Sequence, residues 1–113
     1  MTITRHIRNH TFGIKPTLVD LQFSEWSTKF ERLMRNRLIV GAFRYGRLNE
    51  VGKPKYDRCE YIKRKIDEYI QTGNLECLVD VSNLALCEFV EGSHPKKHFA
   101  TKVDHNEHAK EIK

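Results

Sequence analysis

YDRCEYIKRKIDEYIQTGNLECLVDVSNLALCEFVE, residues 56–91, holds two helical patterns joined at a glycine, and the difference between them decides the fold. The first, over about 56–72, sets Cys59, Ile62, Ile66, Tyr69 and Ile70 on one face, with Glu60 and Arg64 paired i,i+4 on the outside. Gly73-Asn74 closes it. The second, over about 75–90, is apolar around half its circumference through Leu75, Leu78, Val79, Val81, Ala85, Leu86 and Phe89, and stops before Gly92 and Pro95. A helix that apolar is the central member of a small bundle, because it needs neighbours on more than one side.

Upstream, a third helical pattern spans about 24–45. Ser24 suits an N-cap and Glu25 the first turn, where a carboxylate complements the helix dipole. Trp26, Phe30, Leu33 and Val40 then recur at helical spacing, flanked by Met34 and Gly41, and Gly46 ends the segment. Residues 1–22 mix charge with Thr, Asn, Gly13 and Pro16 and read as an irregular arm. Residues 92–113 read as a polar, His-rich extended tail. The expected architecture is all-α: a three- to four-helix bundle over residues 23–91 with an arm and a tail. Its thin core predicts a homodimer formed through the 24–45 and 75–90 helices.

Composition narrows the class. The 113 residues suffice for one domain that buries roughly two-thirds of its unfolded surface. At 39% hydrophobic, 31% charged and 10% aromatic, the chain is too apolar for a disordered one. No apolar run approaches the ~20 residues of a membrane span, and no apolar segment follows the charged N-terminus as in a secretory signal. Cys59, Cys77 and Cys87 form no CxxC pair, which fits free thiols in a cytoplasmic protein.

The net charge of +5 conceals a strong polarity. Residues 29–65 carry twelve Lys/Arg against four Asp/Glu, a balance of +8, whereas residues 66–91 carry six acids and no base. Two constellations follow from this. On the 75–90 helix, Glu76, Asp80, Asn83 and Cys87 stack on one side at spacings of 4, 3 and 4. Such a stripe suits Mg²⁺ (through Glu76 and Asp80), a base or ribose, arginines of the first helix, or plain solvent. Arg37 occupies the apolar stripe of the first helix, where it needs an acidic partner or an anionic ligand; Asp80 and Glu76 are the natural partners. Arg44, Arg47, Lys53, Lys55 and Arg58, with Tyr45 and Tyr56 among them, offer guanidinium forks and aromatic faces to a phosphate and a ring, or form ordinary surface charge. His94 and His98, and His105 and His108 beyond Asp104, lack the spacing and cysteines of a zinc site. Bonding to backbone or to the acidic helix suits His94 and His98 better. Cys77 and Cys87 read as small core residues.

Residues 56–99 resemble a group of small phage and prophage proteins, through a YDR start, TGN, LVD-x-x-N-L-A, EF, HP and HF, followed by Asp104 and His108. More loosely, the helix ending in Tyr45-Gly46, the basic second helix and the D-x-x-N at Asp80–Asn83 are similar to the MazG-like all-α nucleotide pyrophosphohydrolases. In that family two acidic motifs, E-E-x-x-E and E-x-x-D, hold Mg²⁺ around a triphosphate. Asp80 matches the last acid of the second motif, Glu76 lies one residue off its spacing, and the first motif is missing. The resemblance implies a phage accessory protein in the cytoplasm of a bacterial host. Taken with the two charged constellations, the expectation is binding of a nucleotide or cyclic nucleotide signal through Arg37, Arg44, Tyr45, Lys55, Tyr56, Arg58, Glu76, Asp80 and Asn83, which sequesters it from host defence. The alternatives are a Mg²⁺-dependent pyrophosphohydrolase acting through Glu76 and Asp80, and an inhibitor of anti-CRISPR type that binds nucleic acid or a host defence protein.

Overall fold

The computed structural model describes residues 15–102, and among them every regular element is helical. Four helices follow in order: α1 Leu18–Ser24, α2 Thr28–Tyr45, α3 Arg58–Thr72 and α4 Glu76–Glu91. The all-α bundle is therefore as expected. The helix α4 packs against α3, as the second arm of a hairpin, and against α2. It is the shared partner of both, the central place its apolar composition called for. No helix among the described residues is long and apolar enough to cross a membrane.

The start of the chain departs from the irregular arm. Thr17 and Asp20 form a capping box, in which the Thr17 hydroxyl accepts from the Asp20 N–H and the Asp20 carboxylate accepts from the Thr17 N–H. This T-x-x-D signature, directly after Pro16, starts α1 where none was expected. Ser24 consequently ends α1 instead of capping the next helix. That cap is Ser27, whose hydroxyl accepts from the Phe30 N–H at 3.0 Å. Trp26 lies between the two helices, exposed, with its indole N–H given to Glu31 at 3.1 Å.

The helix faces match those expected only in part. On α2 the half-buried apolar positions are Phe30, Met34, Leu38, Gly41 and Ala42, while Leu33 and Val40 lie exposed. On α3 the half-buried positions are Arg58, Ile62, Lys65, Ile66 and Tyr69, with Cys59 and Ile70 left outside. Leu75, at the N-cap of α4, and Ala85 and Phe89 on the helix are exposed as well. The reason is electrostatic. Arg58 and Lys65 must reach carboxylates on α4, so α3 turns to place both at the contact and carries Cys59 and Ile70 to its edge. The fully buried positions among the described residues are Cys77, Val79 and Asn83, all on α4. With each buried aliphatic side chain contributing about 1.5–3 kcal/mol, apolar burial alone holds this arrangement weakly.

The turn after α2 depends on Gly46, at φ 101°. A Cβ there would meet Glu50 Oε2 at 2.5 Å and Lys53 Cδ at 2.7 Å. Gly41, mid-helix, has open space around it. Replacing Gly46 by Ala should lower the unfolding free energy by more than about 1 kcal/mol, whereas Gly41→Ala should raise it by about 0.5–1 kcal/mol. Urea midpoints at unchanged m-value check both.

Candidate functional site

Two charged clusters flank α4, and they hold four of the expected site residues, Arg37, Glu76 and Asp80 in one and Arg58 in the other. The first lies toward the start of the helix. Arg37 reaches from α2 to Glu76 Oε1 and Asp80 Oδ1, both at 3.1 Å, and Lys65 reaches from α3 to Asp80 Oδ2 at 3.4 Å and Glu68 Oε2 at 3.5 Å. The expected pairing of Arg37 with these two acids is thus present. Burial lowers the Lys65 pKa, but Asp80 and Glu68 outweigh it and the net shift is upward. The Cys77 thiol donates to Glu68 at 3.3 Å. Burial, then that carboxylate, pushes Cys77 up, and burial does the same to Cys87. Neither thiol is prepared as a nucleophile.

Asn83 belongs to neither cluster. Its side-chain amide donates to the Met34 carbonyl at 3.1 Å, cross-linking α2 and α4, and its Oδ1 is buried without a partner. The stripe expected on α4 is therefore split: Glu76 stays exposed, Asp80 binds two cations, and Asn83 turns into the α2–α4 contact.

The second cluster closes the α2–α3 loop onto the end of α4. Arg58 pairs with Glu88 at 3.1 Å and, more closely, with Glu91. Lys53 pairs with Glu91 Oε2 at 3.0 Å and donates to the Arg47 carbonyl at 2.7 Å. The backbone N–H of Asn49, itself at φ 62°, donates to Glu91 Oε2 at 2.9 Å. The Asn49 N–H, Lys53 and Arg58 together hold the Glu91 carboxyl below its ordinary range. Glu88 and Glu91 were not foreseen as partners, although a signal existed. Two acids in the last turn of a helix, with no base there, oppose the dipole and need cations from elsewhere.

Beside this clamp lies an open cleft of about 390 Å³, lined by Lys55, Tyr56 and Arg58 among the expected residues, with Asn49 and Ser93. Arg44 and Tyr45 stand exposed on the last turn of α2 and are not part of its lining. Arg37, Glu76 and Asp80 border a separate groove or cluster toward the start of α4. The nine expected ligand residues therefore do not converge on one pocket.

The Mg²⁺ set implied by the pyrophosphohydrolase resemblance does not fit. Arg37 and Lys65 already neutralise Asp80, and Arg37 takes Glu76 as well, so a dication would have to displace them. Among the described residues no three His, Cys, Asp or Glu side chains converge to hold a metal ion. His94 Nδ1 accepts from the Lys96 N–H at 2.9 Å, and His98 Nδ1 lies 2.7 Å from the Lys96 carbonyl, so both bond to backbone. Asp104, His105 and His108 lie outside the described residues. The chain matches no family model, no curated protein and no solved structure.

The two clusters should differ in weight. The Arg58 and Glu91 side chains are only 13% and 11% exposed, whereas Arg37 is 47% exposed. Arg58→Ala should cost about 2–3 kcal/mol, because it leaves Glu88 without a cation and Glu91 with Lys53 alone. Arg37→Ala should cost less than about 1 kcal/mol. Denaturant titrations at neutral pH separate the two outcomes. Because Glu91 is lowered from its ordinary 4.5, its contribution is complete above that range and is lost as pH falls through the depressed folded value. Urea midpoints against pH should fall on the acid side, and Glu91→Gln should flatten that limb while lowering stability at neutral pH.

Proposed function

We propose that this protein is a non-catalytic binding protein for a nucleotide-derived signal, of the phage accessory type, which withholds that signal from host defence in the bacterial cytoplasm. The observation that carries this is the cleft at the clamp. Lys55 has no ion-pair partner among the described residues, and it lines the cleft together with Tyr56 and the polar Asn49 and Ser93. The volume of about 390 Å³ lies in the range of small-ligand sites. Arg58 and Lys53 are held rigidly beside it by Glu88 and Glu91.

Charge selects among nucleotides. Glu50, Asp57, Glu88 and Glu91 line the cleft against Lys53, Lys55 and Arg58. With Lys53 and Arg58 paired internally, Lys55 is the lining cation left for a ligand among the described residues, in a cleft that Glu50 and Asp57 also line. A triphosphate would meet carboxylates here, whereas a single phosphodiester can take Lys55 while exocyclic amines or ribose hydroxyls donate to the acids. A cyclic mononucleotide, or one half of a cyclic dinucleotide, fits best. The neutralised Glu76 and Asp80 argue against the pyrophosphohydrolase alternative.

Thermal melts with cyclic mononucleotides, cyclic dinucleotides and ATP test this. A cyclic nucleotide at a hundredfold excess over its Kd should stabilise by about 2.7 kcal/mol, a shift of several degrees. Lys55→Ala and Tyr56→Ala should each remove that shift, and ATP should give none. A melting temperature that no nucleotide moves overturns the proposal. Mg²⁺-dependent hydrolysis of a nucleoside triphosphate, lost in Asp80→Asn, would replace it with the enzymatic alternative.

A further inference from the structure

The outward face of α4 has no partner within the described chain. Its four carboxylates, Glu76, Asp80, Glu88 and Glu91, all turn to cations of α2, α3 or the loop between them. Cys77, Val79 and Asn83 are buried. Among the remaining positions, Leu75 at the N-cap and Leu78, Ser82, Ala85 and Phe89 on the helix follow one another at spacings of three, four, three and four. That is the heptad seam one helix presents to another. Leu75 and Phe89 are 67% and 69% exposed, Ala85 is exposed, and Leu78 and Ser82 are half-buried. The seam carries no charge along roughly 21 Å of helix. Its one polar group is already satisfied, since the Ser82 hydroxyl donates to the Val79 carbonyl at 2.7 Å and can enter a dry contact. At the start of α4 the seam opens into an apolar groove of about 500 Å³, shared with Phe30 and Leu33 of α2 and bordered by Lys29 and by the Arg37–Glu76 ion pair.

We propose that a second copy of this chain covers the seam, α4 against α4, antiparallel about a two-fold axis through Ser82. Size complementarity points to a copy of the same helix. With Ser82 on the axis, Leu78 meets the partner's Ala85 and Leu75 meets the partner's Phe89, so that each Leu78 fills the space left by a small side chain. A parallel pair would set Ala85 against its own image and leave that layer hollow. Charge points the same way. Antiparallel pairing brings the Lys29-bordered groove, at the positive N-terminal pole of α4, to the negative C-terminal pole of the other α4. There Glu88 keeps 34% of its side chain exposed. Parallel pairing would bring like poles together.

Light scattering of the full chain at micromolar concentration should return twice 13.3 kDa. Ala85→Glu, at an exposed position that no intramolecular contact needs, should return 13.3 kDa with an unchanged helical circular dichroism spectrum. Ser82→Cys in a Cys59→Ser background should cross-link to its own copy through a short bismaleimide, as a residue on the axis must. A wild-type chain that stays monomeric would mean that a different protein covers the seam and would overturn the proposal. So would a dimer that survives Ala85→Glu, or a dimer of the Ser82→Cys variant that the bismaleimide does not cross-link.

Discussion

Glu91 is the residue on which the arrangement of the bundle turns. One carboxylate at the end of α4 accepts from the backbone of Asn49, the ammonium of Lys53 and the guanidinium of Arg58. These three donors come from one loop and the first turn of the helix that follows it. Chain reversal between α2 and α3 is therefore anchored to α4, and the rotation of α3 about its own axis is set by where Arg58 must point. A carboxylate at a helix C-terminus is in an unfavourable field, so the three donors are needed to hold it there. Gly46 makes the approach of Lys53 possible, because any Cβ at that position would strike the Lys53 side chain.

The polarity of the sequence has a simple structural meaning. The segment with six acids and no base contributes the central helix and the second half of α3, and the segment with a balance of +8 supplies α2 and the first half of α3. Arg37 and Lys65 neutralise one end of α4, and Lys53 and Arg58 the other. Much of what looks, in the sequence, like a basic surface for a polyanion and an acidic surface for a metal is internal neutralisation. The apolar contacts are too few to orient the helices by themselves, so the ion pairs, individually modest, choose among orientations of similar apolar burial.

The same balance of forces sets how far the sequence could be read. The helices at 58–72 and 76–91 were legible nearly to the residue, because Gly73 and Gly92 mark their ends and the apolar period between is unbroken. The pairing of Arg37 with Glu76 and Asp80 was legible from one charge out of place on a stripe. The faces were not. Hydrophobic periodicity assumes that the apolar side turns inward, and on α3 two cations with distant carboxylate partners overrode it, displacing Cys59 and Ile70. The capping box of Thr17 and Asp20 was legible in principle, but a helix of seven residues is too short to show its period beside Pro16. The cleft of Lys55, Tyr56 and Arg58 with Ser93 rests on contacts such as that of Arg58 with Glu88, 30 positions apart, for which a single sequence has no local signal.

By composition alone, the half-apolar circumference of α4 is the mark of a helix surrounded by its own chain. Its packing divides that circumference differently. Cys77, Val79 and Asn83 are buried, Lys65 and Arg58 hold Asp80 and Glu88, and Leu75, Ala85 and Phe89 are left facing outward. Scattered exposed apolar residues need no explanation in a small protein. An uncharged row at heptad spacing, running the length of the helix and opening into an apolar groove, is a different matter, because every carboxylate of α4 has been drawn off it by cations elsewhere. The same ion pairs that orient α2 and α3 thus leave an uncharged helix face that neither of them fully covers. In this chain internal electrostatics and the availability of an apolar interface are one arrangement seen from two sides of α4.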